Sequence, residues 1–265
     1  MKLEYIPLQW WQVALAATLI LINGLISILL RLRLERQLSI AAVRTVLQLL
    51  AIGYVLKYIF QWHQWYLVLL LTALMTVIAG MAAVRRPERR YPGILWDSIF
   101  SIWLSSWLIA AVALSGIVRV NPWTPQYAIP ILGMLLGNAL NGISLGLDRF
   151  GEDLDGKRDL VDMLLALGAT RWEAARAPIQ QAVRTGMVPT INGMMIVGIV
   201  SLPGMMTGQI LSGVSPVQAS LYQIFIMFLI AATASLGTVG VVLLGYRRLF
   251  SPDHQFLHRK LTRKA

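Results

Sequence analysis

The feature that most restricts how this chain can fold is a series of long apolar runs almost free of charged residues. A helix needs about 20 mostly apolar residues to cross the roughly 30 Å hydrocarbon core of a bilayer. Seven segments have this character: residues 10–30, 38–60, 65–84, 98–118, 128–147, 191–211 and 217–245. The sequence therefore predicts an all-α, polytopic membrane protein with about seven transmembrane helices, forming a single domain over residues 1–265.

Composition supports a membrane protein and argues against a soluble one. Hydrophobic residues make up 57% of the chain and charged residues only 13%, whereas about 25% of the residues in a soluble domain are charged. The net charge of +11 would suggest nucleic acid binding in a soluble protein. Here the Lys and Arg residues concentrate in a few links between apolar runs, so we expect no nucleic acid partner.

The distribution of positive charge predicts the orientation, because cytoplasmic links retain an excess of Lys and Arg. Basic residues cluster after the first, third and fifth runs and in the C-terminal tail, whereas only Lys2, Lys57 and Arg119 fall on the opposite face. Seven crossings, with the N-terminus outside and the C-terminus in the cytoplasm, put all four clusters on one side. A six-crossing arrangement would put one cluster on the wrong side.

We predict no catalytic motif and no bound cofactor in this chain. Residues 151–158 (GEDLDGKR) match the first seven positions of a phosphate-binding P-loop but end in Arg158 instead of Ser or Thr. The acidic side chains between the two glycines would repel phosphate. The seven runs contain no Asp, Glu, His or Cys, so an intramembrane enzyme and a fixed iron site are both unexpected.

The link between the fifth and sixth runs, about residues 148–190, predicts a helical hairpin. A first helix is expected to end at Gly168, a suitable residue for the left-handed position after a helix. Thr170 and Glu173 have the spacing of a capping box, which starts a second helix. We expect this second helix to run toward Gly186 with a bend at Pro178.

Two interpretations of this link remain open: a simple connection between spans, or a coupling element that passes force from a partner into the membrane. The coupling interpretation assigns contact with the partner to six residues: Asp162, Gly168, Thr170, Arg171, Trp172 and Glu173.

Several segments together resemble known permeases. Asp162 followed six positions later by Gly168 resembles the cytoplasmic EAA-type loop of ABC importer permeases. More specifically, the chain is similar to the FetB-type permease family, which includes bacterial iron exporters and plant aluminium-sensitivity transporters. The similar segments are residues 42–49 (AVRTVLQL), 129–141 (IPILGMLLGNALN), 165–170 (LALGAT), 188–192 (VPTIN) and 198–213 (GIVSLPGMMTGQILSG).

This resemblance implies the membrane subunit of an ABC transporter in the bacterial inner membrane. It implies a homodimer that exports iron or another metal-related species, with ATP and magnesium held by a separate ATPase subunit. The lack of carboxylate and imidazole ligands in the runs leaves a chelate, a lipid-like molecule, a sugar nucleotide or an ion in a hydrated path as possible cargo. The alternative is an ATPase-independent secondary transporter or channel, although such proteins usually carry an intramembrane acid or His relay.

The fifth and sixth runs carry most of the residues expected at a translocation path or gate. For the glycines at 133 and 137 we favour helix packing, whereas Asn138 and Asn141 fit packing and a path lining equally. Pro203 interrupts the sixth run and predicts either a gate or a static kink over residues 202–209. The complete candidate set is Arg44, Gln48, Asn138, Asn141, Pro203, Gly204, Met205, Met206 and Gln209.

Three members of this set, one arginine and two methionines, also have purely structural interpretations. Arg44 lies one helical turn from Gln48 near the end of its run, where it is expected to extend to the interface. The methionines at 205 and 206 offer soft thioether ligands, although methionine in an apolar helix more often serves packing.

Overall fold

Helices account for about four fifths of the residues that the structure describes. The computed structural model describes residues 9–62 and 64–263, so Lys2 and Lys264 lie outside the described residues. The helices, in chain order, are α1 (Trp10–Leu29), α2 (Glu35–Trp62), α3 (Trp65–Ala83), α4 (Ile94–Ala111), α5 (Pro125–Gly156), α6 (Arg158–Ala166), α7 (Arg171–Ile196), α8 (Gly204–Leu211) and α9 (Pro216–Leu249). Two short antiparallel strands, β1 (Arg89–Arg90) and β2 (Thr262–Arg263), pair with each other.

Six helical segments within the described residues are long and apolar enough to cross a membrane. They are Trp10–Leu29, Glu35–Trp62, Trp65–Ala83, Ile94–Val118, Pro125–Gly156 and Pro216–Leu249. The fourth of these continues from α4 into a π-helical stretch, Val112–Val118, which ends at Arg119 with φ +57°. The prediction of a polytopic, helical membrane protein is confirmed.

The predicted span at residues 191–211 is not one continuous helix. Its first residues belong to the end of α7, which stops at Ile196, and its last residues form α8, which begins at Gly204. Between them the chain turns, with Gly198 at φ +84° and its N–H donating to the Ser201 carbonyl. The expected end of the preceding helix near Gly186 is also wrong, because α7 continues through Pro178 and Pro189 to Ile196.

The chain divides into two units. Unit 1 contains α1 and α2, with residues 211–214. The Ser27 hydroxyl fixes its turn by accepting from the Leu34 N–H and donating to Glu35. Unit 2 contains residues 65–210 and 215–265 and holds nearly all of the buried core. The prediction of one domain over the whole chain stays a prediction.

In unit 2, three helices meet at a close crossing built from glycine. A Cβ on Gly186 of α7 would lie 2.6 Å from the Gly142 carbonyl of α5 and 2.6 Å from the Thr238 side chain of α9. One turn along, Gly146 of α5 faces the Ala182 carbonyl of α7 and Val242 of α9. As residue numbers increase along α5 and α9, the numbers of the residues that they contact in α7 decrease. Helix α7 is therefore antiparallel to both.

This packing brings the polar links of unit 2 to one end. The end of α5, the start of α7 and the end of α9 lie together there, because α7 is antiparallel to the other two. Arg89 of β1 forms an ion pair with Asp155 near the end of α5, and β1 pairs with β2 of the C-terminal segment. Three of the four basic clusters of the sequence therefore share one end of unit 2.

Candidate coupling elbow and translocation path

Helix α6, the tight turn after it and the first residues of α7 form a unit that we call the elbow (residues 158–173). Gly168 follows α6 with φ +91°, and its N–H donates to the Leu165 carbonyl. The next N–H, of Ala169, donates to the Leu164 carbonyl. These two bonds form a Schellman motif, which requires a left-handed residue where the sequence places glycine.

The start of α7 carries the predicted capping box. The Thr170 hydroxyl accepts from the Glu173 N–H at 3.3 Å, and the Glu173 carboxylate accepts from the Thr170 N–H at 2.7 Å. The Thr170 N–H and hydroxyl both donate to the Glu173 carboxylate, and these two hydrogen bonds hold the pKa of Glu173 below its usual value. The charged form of Glu173 is therefore the one that caps the helix. Its contribution to the free energy of unfolding is lost when the pH falls through that lowered pKa.

The elbow packs against the end of α9 and the segment that follows it. The Arg171 N–H donates to Nδ1 of His254 at 2.9 Å, and the Arg171 guanidinium donates to the Ser251 carbonyl at 3.2 Å. The Trp172 ring meets the Tyr246 ring edge-on, with centroids 5.6 Å apart. Because backbone, charge and ring contacts act together, a displacement of the elbow would act directly on α7 and α9.

One face of α6 is apolar and exposed. Leu160 and Met163 of α6 and Leu167, the residue that caps its end, follow a spacing of three and four residues, which places them on one side. Leu167 is 77% exposed. Val161, on another face of α6, is buried in the core of unit 2. Asp162 lies on the exposed side and forms a long ion pair with Arg158, with 3.6 Å between Nε and Oδ2.

The P-loop-like residues 151–158 do not form a phosphate-binding loop. Residues 151–156 are the last turns of α5, and Arg158 begins α6. Asp153 within this segment is buried and pairs with Arg149 and Lys157, each at 3.2 Å. The acidic residues here serve local ion pairs at the helix end.

The polar residues of α5 are separated from its packing face. The Asn138 side chain donates to the Met134 carbonyl one turn back at 2.8 Å, and Asn141 is exposed. Open space surrounds Gly137, whereas Gly142 and Gly146 make the close helix contacts. The favoured interpretation of the glycines at 133 and 137 as the packing stripe is therefore wrong for Gly137 within this chain, and the packing face is the adjacent one.

The break between α7 and α8 lines a cavity of about 540 Å³. Of the predicted gate residues, Met206 lines it directly, together with Leu202 and, from α9, Gln223. The side-chain oxygens of Gln209 and Gln223 are buried without a hydrogen-bond partner. Pro203 and Gly204 form the junction at the start of α8, and Met205 is partly buried in its first turn.

Arg44 and Gln48 belong to unit 1, whereas the residues just described belong to unit 2. Both side chains are exposed on α2, whose one buried residue is Ile59. The structure of unit 1 alone gives them no site.

A buried ion pair is the polar feature that sequence reasoning missed. Asp97 of α4 is 4% exposed and accepts two hydrogen bonds from Arg248 of α9, at 2.6 and 2.8 Å. The Tyr91 hydroxyl lies beside this pair, and burial raises its pKa, with the negative charge of Asp97 acting in the same direction. The expectation that the spans contain no acidic residue is wrong for the fourth candidate span, which begins at Ile94 rather than at Ser98 and so includes Asp97.

The described residues contain no group of three or more His, Cys, Asp or Glu side chains that could hold a metal ion. The polar or sulfur-containing side chains around the α7–α8 break carry thioether, amide and hydroxyl groups. Such a set differs from the carboxylate and imidazole ligands that iron prefers.

The fold and the elbow define a polytopic membrane protein with long helices and a structured polar link between α6 and α7. The chain belongs to the family described as "Uncharacterised protein family (UPF0014)", whose model matches residues 10–250. The predicted membership of the FetB-type family is thereby confirmed. No solved structure matches the chain.

Three relatives show the breadth of this family. The chain is 39% identical to "UPF0014 membrane protein slr1647" of Synechocystis, over 85% of this chain and 88% of the relative. It is 34% identical to "Probable iron export permease protein FetB" of Escherichia coli, over 95% and 96%. It is 31% identical to "Protein ALUMINUM SENSITIVE 3" of Arabidopsis thaliana, over 91% and 88%.

Proposed function

We propose that this protein is the membrane-spanning permease subunit of an ABC transporter and that a separate ATPase subunit docks on its elbow. The chain itself has no catalytic role and binds no cofactor; ATP and magnesium are bound by the partner. By analogy with the relative named as an iron export permease, the cargo is iron or another metal-related species, moved outward. Two copies of the chain form the complete pathway.

The exposed apolar face of α6 carries this proposal. Leu160, Met163 and Leu167 are exposed at a short helix in a polar link, where the core of unit 2 does not cover them. Exposed apolar patches rimmed by polar groups are typical of protein interaction sites. The Schellman motif and the capping box make the elbow stiff enough to transmit force from a docked partner.

The path of that force follows α7. From the elbow, α7 runs through the glycine crossing with α5 and α9 and ends at the break beside the cavity. Its 26 residues extend about 39 Å, enough to cross the hydrocarbon core. A tilt imposed at Arg171 would therefore move the break at the far end and alter access to the cavity.

The α7–α8 pair supplies the remaining crossing in this proposal. Because α7 is antiparallel to α5 and α9, a crossing must lie between their ends even though α7 is too polar to stand out by hydropathy. This gives seven crossings, with the N-terminus outside and the basic end of unit 2 in the cytoplasm, consistent with the excess of Arg and Lys there.

The cavity favours a cargo that brings its own metal ligands. Its lining contains Met194, Met206 and Met227 together with Gln223 and Ser220, and no carboxylate or imidazole. A bare iron ion would lose hydration there without gaining suitable ligands. A chelated metal, whose surface is organic, fits the lining better.

The proposal is tested by isolating the tagged protein from its native membrane and assaying it in vesicles. A soluble subunit with a P-loop should co-purify and hydrolyse ATP in a transport-coupled manner. Glu173→Ala and Gly168→Ala should lower coupled ATPase activity and transport while leaving membrane insertion intact, and Asp253→Asn, an exposed change, serves as the control. Transport by the purified chain without any ATPase would instead support the secondary transporter or channel.

A further inference from the structure

Two cavities of unit 2 meet at one arginine, Arg247. The first, of about 290 Å³, lies at the basic end, between residues 91–92, the end of α9 and the C-terminal segment. The second, of about 310 Å³, is an apolar groove between α4 and α9. Because Arg247 lines both, the basic cavity opens at the place where the groove ends.

The basic cavity has an excess of positive charge. Three cationic side chains line it: Arg247, Arg248 and Lys260. Arg248 is neutralised by Asp97 at 2.6 Å, whereas neither Arg247 nor Lys260 forms an ion pair with any of the described residues. Two cations that face the same cavity without a counter-ion create a favourable place for an anionic group such as a phosphate.

The groove has the dimensions and chemistry of a site for a hydrocarbon chain. Its walls extend over residues 100–108 of α4 and 236–244 of α9, about 12 Å along each helix. This length is close to half of the roughly 30 Å hydrocarbon core. The lining is apolar except for a few positions near the basic end, where the buried Ser101 hydroxyl has no hydrogen-bond partner.

We propose that the two cavities together bind one anionic phospholipid. Its phosphate lies between Arg247 and Lys260, and one acyl chain follows the groove between α4 and α9. Ser101, one helical turn from Asp97, is placed to donate to an ester carbonyl just below the phosphate. The bound lipid joins α4, α9 and the C-terminal segment, which also contacts the elbow through Ser251 and His254.

The test measures lipid binding to the delipidated full-length protein in detergent by native mass spectrometry. The probes are dioleoylphosphatidylglycerol, dioleoylphosphatidylcholine with the same chains, and glycerol 3-phosphate without chains. We expect the anionic lipid to bind more tightly than the neutral one. The variant Arg247→Gln/Lys260→Gln should abolish that preference, losing roughly fivefold in affinity for each cation removed.

A matched variant separates the site from general charge attraction. Arg176→Gln/Arg259→Gln removes the same charge from exposed positions outside both cavities and should retain the preference. Gly240→Leu should weaken binding of both lipids, since a Cβ there contacts Ser101 at an ordinary 3.5 Å and longer side chains enter the groove. Equal binding of the two lipids, equal losses in both double variants, or tight binding of glycerol 3-phosphate alone would overturn the proposal.

Discussion

At the scale of single residues, the contact between Asp97 and Arg248 is not predicted because the predicted span begins at residue 98, four residues after the start of α4. Gly93 has φ +89° and lets α4 begin at Ile94, so that Asp97 enters the first turn of the helix. The apolar run in the sequence starts only after this residue. The ion pair joins positions 151 residues apart, and no local pattern predicts such a pairing.

We expect Asp97→Asn to destabilise unit 2 by about 1–2 kcal/mol. Loss of one partner from a buried pair leaves the other charge uncompensated, but Arg248 is 45% exposed and solvent screens part of the cost. The melting temperature of the purified protein measures the effect. Asp253→Asn should leave it unchanged, and an equal shift in the two variants would contradict the assigned role of the pair.

Gly186 offers a second test at this scale. Gly186→Ala would place a Cβ 2.6 Å from a carbonyl of α5 and a side chain of α9, so α7 must shift, at a cost of about 1–3 kcal/mol. Gly137→Ala, in open space on α5, should have no such effect. Thermal unfolding of both variants checks the expectation, and equal stability would mean that the crossing at Gly142 is not close-packed.

At the scale of elements, the elbow could be predicted from sequence while the extent of α7 could not. Gly168 and the pair Thr170 and Glu173 carry local signals, because a left-handed position and a capping box depend on a few neighbouring residues. The length of α7 depends on tertiary packing. Its crossing with α5 and α9 holds Pro178 and Pro189 within one helix, although proline normally ends or kinks a helix.

The exposed face of α6 provides the prediction at this scale. Met163→Glu/Leu167→Glu should lower the affinity of the ATPase subunit at least about tenfold, since burial of each apolar side chain stabilises a contact by roughly 1.5–3 kcal/mol. Co-purification and coupled ATPase activity measure the loss. Gln255→Glu adds an acidic group outside α6 and should retain both; undiminished binding in the α6 variant would remove this face as the docking site.

At the scale of the whole molecule, hydropathy identifies no membrane span between α5 and α9, whereas helix packing places α7 alongside both of them. Hydropathy finds six candidate spans, because Arg176, Gln180 and Arg184 lower the average over α7. Because α7 packs antiparallel to α5 and α9, the chain runs back along these helices between the end of α5 and the start of α9. The basic clusters of the sequence predict seven crossings with the sixth at residues 191–211, whereas α7 ends within that range at Ile196.

The number of crossings can be measured directly because the native chain contains no cysteine. Single cysteines at Asn121 and Val217 should react with a membrane-impermeant maleimide added to intact cells. Cysteines at Leu167 and Asp253 should react only after the membrane is opened, since they lie at the basic end of unit 2. If α7 did not cross, Val217 would label on the same side as Leu167. Labelling of Val217 together with Asn121 requires a crossing between α5 and α9, and α7 is the helix whose direction and length provide it.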